Sequence, residues 1–137
     1  TNMVLESIGI RTPLQTLLQI TRFTMKYYEL IALSERTSVT DARELYRRGC
    51  FLYYRGDRDS LLAARADLKK ALEARPSFPE ALYGLAVISG RLKFTDESLD
   101  ALRRLKRTGF THWPFVAEDP DLSSVKDSPD FKALMKD

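Results

Sequence analysis

Few side chains in this chain of 137 residues are of the types that do chemistry. It has one histidine, His112, and one cysteine, Cys50. A single cysteine cannot form an intramolecular disulfide or a cysteine-based metal cage. A catalytic histidine needs a nucleophile or a carboxylate held beside it, and nothing in the sequence places one next to His112. We therefore expect both side chains to pack rather than to react.

Acidic residues crowd one short stretch, at Glu118, Asp119 and Asp121, which raises the question of a cation site. The stretch lacks the glycine and the distal glutamate of a calcium-binding loop. Asp119, followed by proline, is better explained as a helix cap. The chain also has no glycine-rich phosphate loop and no histidine–carboxylate–nucleophile pattern. We predict no metal site, no cofactor and no enzymatic activity.

Basic residues form two runs, although the chain as a whole is mixed in charge, with 22 basic and 19 acidic residues and a net charge of +3. On helices such runs usually form solvated faces. Contact with an acidic partner or a phosphate backbone is the alternative, but no known nucleic-acid-binding motif supports it, so we expect no nucleic acid to bind. The runs are Arg43, Arg47 and Arg48, and Arg103, Arg104, Lys106 and Arg107.

The bulk properties are those of one domain with a core of its own, since 44% of the residues are hydrophobic. No apolar run approaches the roughly 18 residues of a membrane span, and the first residues lack the pattern of a secretory signal. With one cysteine, a cytoplasmic location is favoured. Because the chain opens with Thr1, Asn2 and Met3, a piece of a longer protein is an open alternative.

The spacing of apolar residues, with caps and prolines at the ends, predicts an all-α fold. We expect helices at about 13–35, 41–55, 60–74, 79–92 and 95–107, and short ones at 120–126 and 129–135. The first helix carries apolar residues over a broad surface and should pack on two sides. The aromatic segment 112–116, which contains Pro114, is not expected to form a regular helix.

Part of the sequence recurs at a fixed distance. A helix pattern and its stop reappear at an offset of 34, and the stretches that precede them align at an offset of 37, with Tyr46 paired to Tyr83 and an insertion within 56–61 in the first copy. A period of this size is typical of stacked helical hairpins. The residues that recur at the offset of 34 are Ala64, Leu68, Ala71 and Pro76, matched by Ser98, Leu102, Leu105 and Phe110.

This pattern resembles the tetratricopeptide repeat family. The first helix of each hairpin in that family places a large residue and, three residues later, an apolar–small pair, here Leu82 and then Leu85-Ala86. Arg48 and Phe110 depart from it, because the family prefers an apolar residue and a proline there. The resemblance covers 41–110, and the tail is similar to the closing segment of many bacterial repeat proteins.

The resemblance implies an α-α superhelix of two helical-hairpin repeats. The repeats would span 41–76 and 77–110, with an N-terminal flanking helix in 1–40 and short C-terminal capping helices in 111–137, all in a single domain. Terminal caps are needed in such folds because a repeat cannot bury its own end face.

The resemblance also implies a partner-binding groove along the first helices of the repeats, with Tyr46 and Tyr83 side by side. The slots of the family's chaperone-tail clamp hold Tyr46 and Cys50, which departs from the clamp pattern. An open alternative is that the first helix or the tail fills the groove and the tyrosines are core. The groove would present Arg43, Tyr46, Cys50, Tyr53, Glu80, Tyr83, Val87 and Arg91.

Three functions remain open from the sequence. The first is a non-catalytic protein–protein interaction module that binds a peptide or helix of a partner in this groove. The second is an oligomerising scaffold, in which the apolar face of residues 14–33 pairs with a second copy. The third is the sensory or regulatory fragment of a larger bacterial protein, such as a transcription regulator.

Overall fold

The computed structural model describes residues 40–136, and over this range the protein is all-α, as predicted, without a strand. The first predicted helix, at 13–35, and nearly all of the predicted flanking segment 1–40 lie outside the described residues. The six helices are α1 (Ala42–Arg55), α2 (Arg58–Ala74), α3 (Pro79–Arg91), α4 (Thr95–Arg107), α5 (Trp113–Glu118) and α6 (Pro129–Met135), with a 3₁₀ turn at Pro120–Leu122.

The first four helices form two antiparallel pairs, α1 with α2 and α3 with α4, and α2 also packs on α3. Local sequence sets the first hairpin. The Asp41 carboxylate accepts a hydrogen bond from the Glu44 N–H at 3.0 Å and begins α1. Gly56, with φ of 79°, ends it in the left-handed conformation that favours glycine. Asp57 then caps α2 through the Ser60 N–H at 3.0 Å.

The helical residues that recur at the offset of 34 are all buried. Ala64, Ser98 and Leu102 are fully buried, and Leu68 is 1% exposed. The Ser98 hydroxyl donates to the carbonyl oxygen of Ala86 at 2.7 Å, so its polar group is satisfied inside the core. Small residues at these positions let one helix approach the other closely.

Helix starts recur along the whole described chain. α3 begins at Pro79 and α1 at Ala42, which is an offset of 37, and the same offset separates the starts of α4 at Thr95 and α2 at Arg58. The insertion in the first hairpin therefore extends α2, which has 17 residues where α4 has 13.

The tail keeps the shorter spacing. α5 begins at Trp113 and α6 at Pro129, each at an offset of 34 from the start of α3 and of α4 respectively. The prediction that 112–116 avoids a regular helix is wrong: Pro114 lies in the first turn of α5, where its missing N–H removes no helical hydrogen bond. The predicted helix at 120–126 is a 3₁₀ turn followed by further turns.

The tail closes the core at the end of the second hairpin. The 3₁₀ turn packs on α3 and α6 packs on α4. Val116, Leu122 and Val125 are fully buried and Phe131 is 4% exposed. At the same offset of 34, Val116 corresponds to the fully buried Leu82 of α3. The tail thus provides the burial of a third, shortened hairpin.

Candidate functional site

The inner face of the first helices, on α1 and α3, is where the sequence places a partner-binding groove. α1 contacts α3 directly, and the chain that follows α5 packs against α3. We call residues 119–122 the strap. It connects α5 with the turns that lead to α6, and it contains Asp119 and Asp121.

The first anchor of the strap is a hydrogen bond between Tyr83 on α3 and Asp119. The Tyr83 hydroxyl donates to Asp119 Oδ2 at 2.5 Å, and Asp119 Oδ1 accepts the N–H of Asp121 at 2.9 Å. Asp119 is fully buried, and this burial raises the pKa of its carboxyl. Burial and the nearby negative charge of Asp119 raise the pKa of Tyr83, so the tyrosine stays a donor.

The second anchor joins α1 to the strap. The Tyr53 hydroxyl donates to Asp121 Oδ2, and Arg91 Nε on α3 lies 3.9 Å from Asp121 Oδ1. The Arg91 guanidinium also lies 5.4 Å from the centre of the Tyr53 ring and donates to the carbonyl oxygen of Gly56 at 3.5 Å. Side chains from both first helices therefore converge on the carboxylates of one short segment.

A close backbone approach brings the strap onto α3 at Gly90. A Cβ at this position would lie 2.9 Å from the carbonyl oxygen of Asp121. The Ser124 hydroxyl donates to the carbonyl oxygen of Gly90 at 2.8 Å. Glycine is therefore required here for space rather than for an unusual φ.

Replacing Gly90 by alanine is expected to lower the free energy of unfolding by about 1–3 kcal/mol, since the strap backbone must move away. Urea denaturation of the wild type and the variant measures this difference in the free energy of unfolding. Gly49→Ala is the matched control, because the Cβ there would meet the flexible side chain of Leu68 at 3.2 Å. Its crowding is offset by the better helix propensity of alanine. Equal losses in the two variants would contradict the close approach of the strap.

The eight predicted groove residues divide by exposure. Five are buried, and these are Tyr46, Cys50, Tyr53, Tyr83 and Val87. Three are exposed, and these are Arg43, Glu80 and Arg91. A ligand therefore reaches only the exposed three without displacing part of the chain, and the role of the set in binding stays a prediction.

The paired tyrosines have different neighbours. The Tyr46 ring lies 5.3 Å from that of Phe78, and burial raises the pKa of the Tyr46 hydroxyl. Tyr83 lies 6.4 Å from Phe110. Burial raises the pKa of the Cys50 thiol to about 12, which leaves it protonated at neutral pH and unreactive. Tyr53 and Tyr83 are covered by the tail, as in the alternative in which the tail fills the groove.

The capping role that the sequence predicts for Asp119 leaves out its contact with Tyr83. The carboxylate does cap the 3₁₀ turn, through the N–H of Asp121. The sequence does hold a signal for the contact of the neighbouring Asp121 with Tyr53: at the offset of 34, Asp121 corresponds to Val87, so the period carried into the tail places Asp121 at an inner-face position. Extending the repeat beyond residue 110 would have placed this carboxylate near the tyrosines.

The outer side carries a cleft of about 400 Å³ between α2 and α4. An ion-pair cluster centred on Glu97 borders it, in which the Arg65 guanidinium donates at 2.5 and 2.8 Å and Lys69 Nζ at 3.1 Å. Ser89 Oγ donates at 2.8 Å. These hydrogen bonds, led by that from Arg65, lower the pKa of Glu97 to about 2. The residues lining the cleft are Lys69, Leu72, Glu73, Pro76, Leu85, Glu97, Asp100 and Arg104.

His112 lies at the surface, where its ring contacts Phe110 at 5.7 Å and Phe115 at 6.2 Å, both edge to face. Within residues 40–136 no group of three or more histidine, cysteine or acidic side chains is arranged to hold a metal ion. None of the helices in that part is long and apolar enough to cross a membrane.

Comparison of the chain with models of protein families, with curated proteins and with solved structures finds no match. Any inference about function therefore rests on the arrangement of its own residues. That arrangement is a pair of helical hairpins whose inner face holds an acidic segment of the same chain.

Proposed function

We propose that this chain is a non-catalytic protein–protein interaction module of the tetratricopeptide-like kind, which binds a peptide or helix of a partner along the inner face of α1 and α3. The observation that carries the proposal is the recurrence of helix starts, at an offset of 37 and then of 34. Stacked hairpins of this period expose a continuous inner face, and such surfaces commonly serve in recognition.

Two features of the inner face support the proposal. Its side chains already hold a segment of chain through hydrogen bonds from Tyr53 and Tyr83, which is the kind of contact that a bound peptide needs. Arg43 and Glu80 are exposed at its rim. Charges at the rim of an interface set partner choice and association rate more than affinity.

A charge swap at the rim tests the proposal. Peptides would be selected from a random displayed library on the wild-type protein and then measured against Arg43→Glu/Glu80→Arg. We expect the affinity of inner-face ligands to fall about tenfold. Each substitution places a charge of the same sign opposite the peptide charge that was selected against the original side chain. Both residues are exposed, so the fold should be retained.

The control swaps two exposed charges on the outer helices, with Lys70→Glu on α2 and Asp100→Lys on α4. It keeps the same net charge and should leave the selected peptides bound. Ligands that respond to the outer swap and ignore the rim swap would place the recognition surface elsewhere. A library that yields no ligand at all would contradict the proposed function.

A further inference from the structure

The strap is held through its two carboxylates, by two hydroxyl donors and one guanidinium. Three side chains of the inner face, Tyr53, Tyr83 and Arg91, are directed at Asp119 and Asp121. A hydrogen bond from a hydroxyl to a carboxylate is charge-assisted and is shorter and stronger than a neutral one, and the Arg91 guanidinium adds an ion pair at 3.9 Å. The inner face therefore offers two donor positions for two acids that are separated by one residue.

Apolar contacts alone would be enough to seat a cap on α3. Leu122 and Val125 are both fully buried, and burying such side chains stabilises without charge. Burying the Asp119 carboxylate instead carries a desolvation cost that only good donors offset. The pairing of buried acids with inner-face donors is thus a recognition feature in addition to a packing contact.

We propose that the inner face recognises an acidic segment with two carboxylates one residue apart, and that the strap is an intramolecular competitor for this site. The inference rests on the proposed function, since it identifies the ligand class of that same face. A partner segment of Asp-x-Asp chemistry would replace the strap carboxylates at Tyr53 and Tyr83. The attached strap competes at high effective concentration, so the free protein binds such a segment weakly.

The competition has a defined thermodynamic form. The apparent affinity for an added acidic segment equals the intrinsic affinity reduced by the fraction of molecules whose inner face is free. Any change that weakens the strap and leaves Tyr53 and Tyr83 in place raises that fraction. The added segment should therefore bind more tightly to a protein with a weakened strap.

The probe is a fluorescent synthetic peptide with the sequence of residues 117–127, titrated against the full chain by anisotropy. Asp119→Asn/Asp121→Asn in the protein is expected to bind it about tenfold or more tightly than the wild type. Adding Tyr53→Phe/Tyr83→Phe should remove that gain. A peptide with asparagine at both strap positions should bind about tenfold more weakly, because it loses the charge of both acceptors.

The control variant is Glu118→Gln/Asp127→Asn, which removes two exposed acids beside the strap and should bind the peptide as the wild type does. Circular dichroism checks that each variant is folded. Leu122→Ala provides a second route if the double asparagine variant does not fold. It removes a fully buried side chain of the strap and leaves Tyr53, Tyr83 and Arg91 in place, so it should also raise the affinity for the peptide, severalfold.

Two results would overturn the proposal. Folded variants with a weakened strap that bind the peptide no better than the wild type would make the strap a permanent cap. Peptide binding that persists after both tyrosines are changed to phenylalanine would exclude them as the carboxylate donors. Neither result affects library peptides whose affinity depends on Arg43 and Glu80. The proposal about the strap can therefore fail while the proposed function still holds, and the two failures are distinguishable.

Discussion

Replacing Arg48 by leucine is expected to lower the free energy of unfolding by about 3–5 kcal/mol. Arg48 on α1 and Asp67 on α2 form a bidentate ion pair, with both N–O distances at 2.7 Å. Their side chains are only 12% and 8% exposed. Removing the guanidinium leaves the Asp67 carboxylate buried without these two hydrogen bonds, which is more costly than the pair itself.

The second hairpin suggests the compensating change. Leu85 corresponds to Arg48 at the offset of 37 and Ala101 corresponds to Asp67 at the offset of 34, so an apolar pair stands at the equivalent positions. Both are buried, at 5% and 1% exposure. Arg48→Leu/Asp67→Ala gives the first hairpin the residues of the second. We expect the double variant to lie within about 1 kcal/mol of the wild type, because no buried charge remains.

Urea denaturation of the wild type, both single variants and the double variant closes a double-mutant cycle. The expected coupling energy between the two sites is at least about 2 kcal/mol, because the double variant should lose about 1 kcal/mol or less where Arg48→Leu alone loses about 3–5 kcal/mol. Additive losses, with the double variant less stable than Arg48→Leu alone, would show that the two side chains do not act as a pair. The m-value should be unchanged across the cycle, as two-state unfolding requires.

Acid is expected to remove the contribution of Glu97. Its pKa falls from 4.5 to about 2 on folding, so the ionised carboxylate stabilises the fold above pH 4.5, and this contribution is lost as the pH falls to about 2. A shift of this size corresponds to about 3 kcal/mol. The side chain is 22% exposed, so solvent screens it only in part.

The measurement compares the wild type with Glu97→Gln between pH 7 and pH 2. The stability difference should be about 2–3 kcal/mol at neutral pH and should narrow to a few tenths of a kcal/mol at pH 2, where the Glu97 carboxyl is half protonated in the folded state and fully protonated in the unfolded state. Glu118→Gln, at an exposed position on α5, controls for the loss of one negative charge. A difference that is constant with pH would mean that the Arg65 and Lys69 contacts do not stabilise the ionised form.

Local rules predict the hairpin elements well. Asp41 and Ser128 begin helices through hydrogen bonds to N–H groups two or three residues ahead, and Gly56 ends one through its positive φ. These effects depend on a few adjacent residues, so a single sequence reveals them. The same rules fail at Pro114, because a proline in a first helical turn looks the same in sequence as one that prevents a helix.

Long-range contacts do not follow from local rules. In the sequence Arg48 is only a departure from an apolar pattern, and its partner Asp67 lies 19 residues away. Tyr83 and Asp119 are 36 residues apart, so sequence spacing alone does not determine whether the tail reaches the inner face. Such pairs form only when the helices have packed, and packing depends on the whole core.

Over the described residues, the sequence by itself determined the all-α class, the boundaries of α1 to α4 and of α6 to within a few residues, and the period at which small and large residues meet, because these follow from local capping and helical spacing. Only the tertiary structure decided what covers the inner face. Tyr53 and Tyr83 were equally consistent with an open groove and with a core. Their hydroxyls are hydrogen-bonded to Asp121 and Asp119, because the shortened third hairpin brings these acids back across α1 and α3.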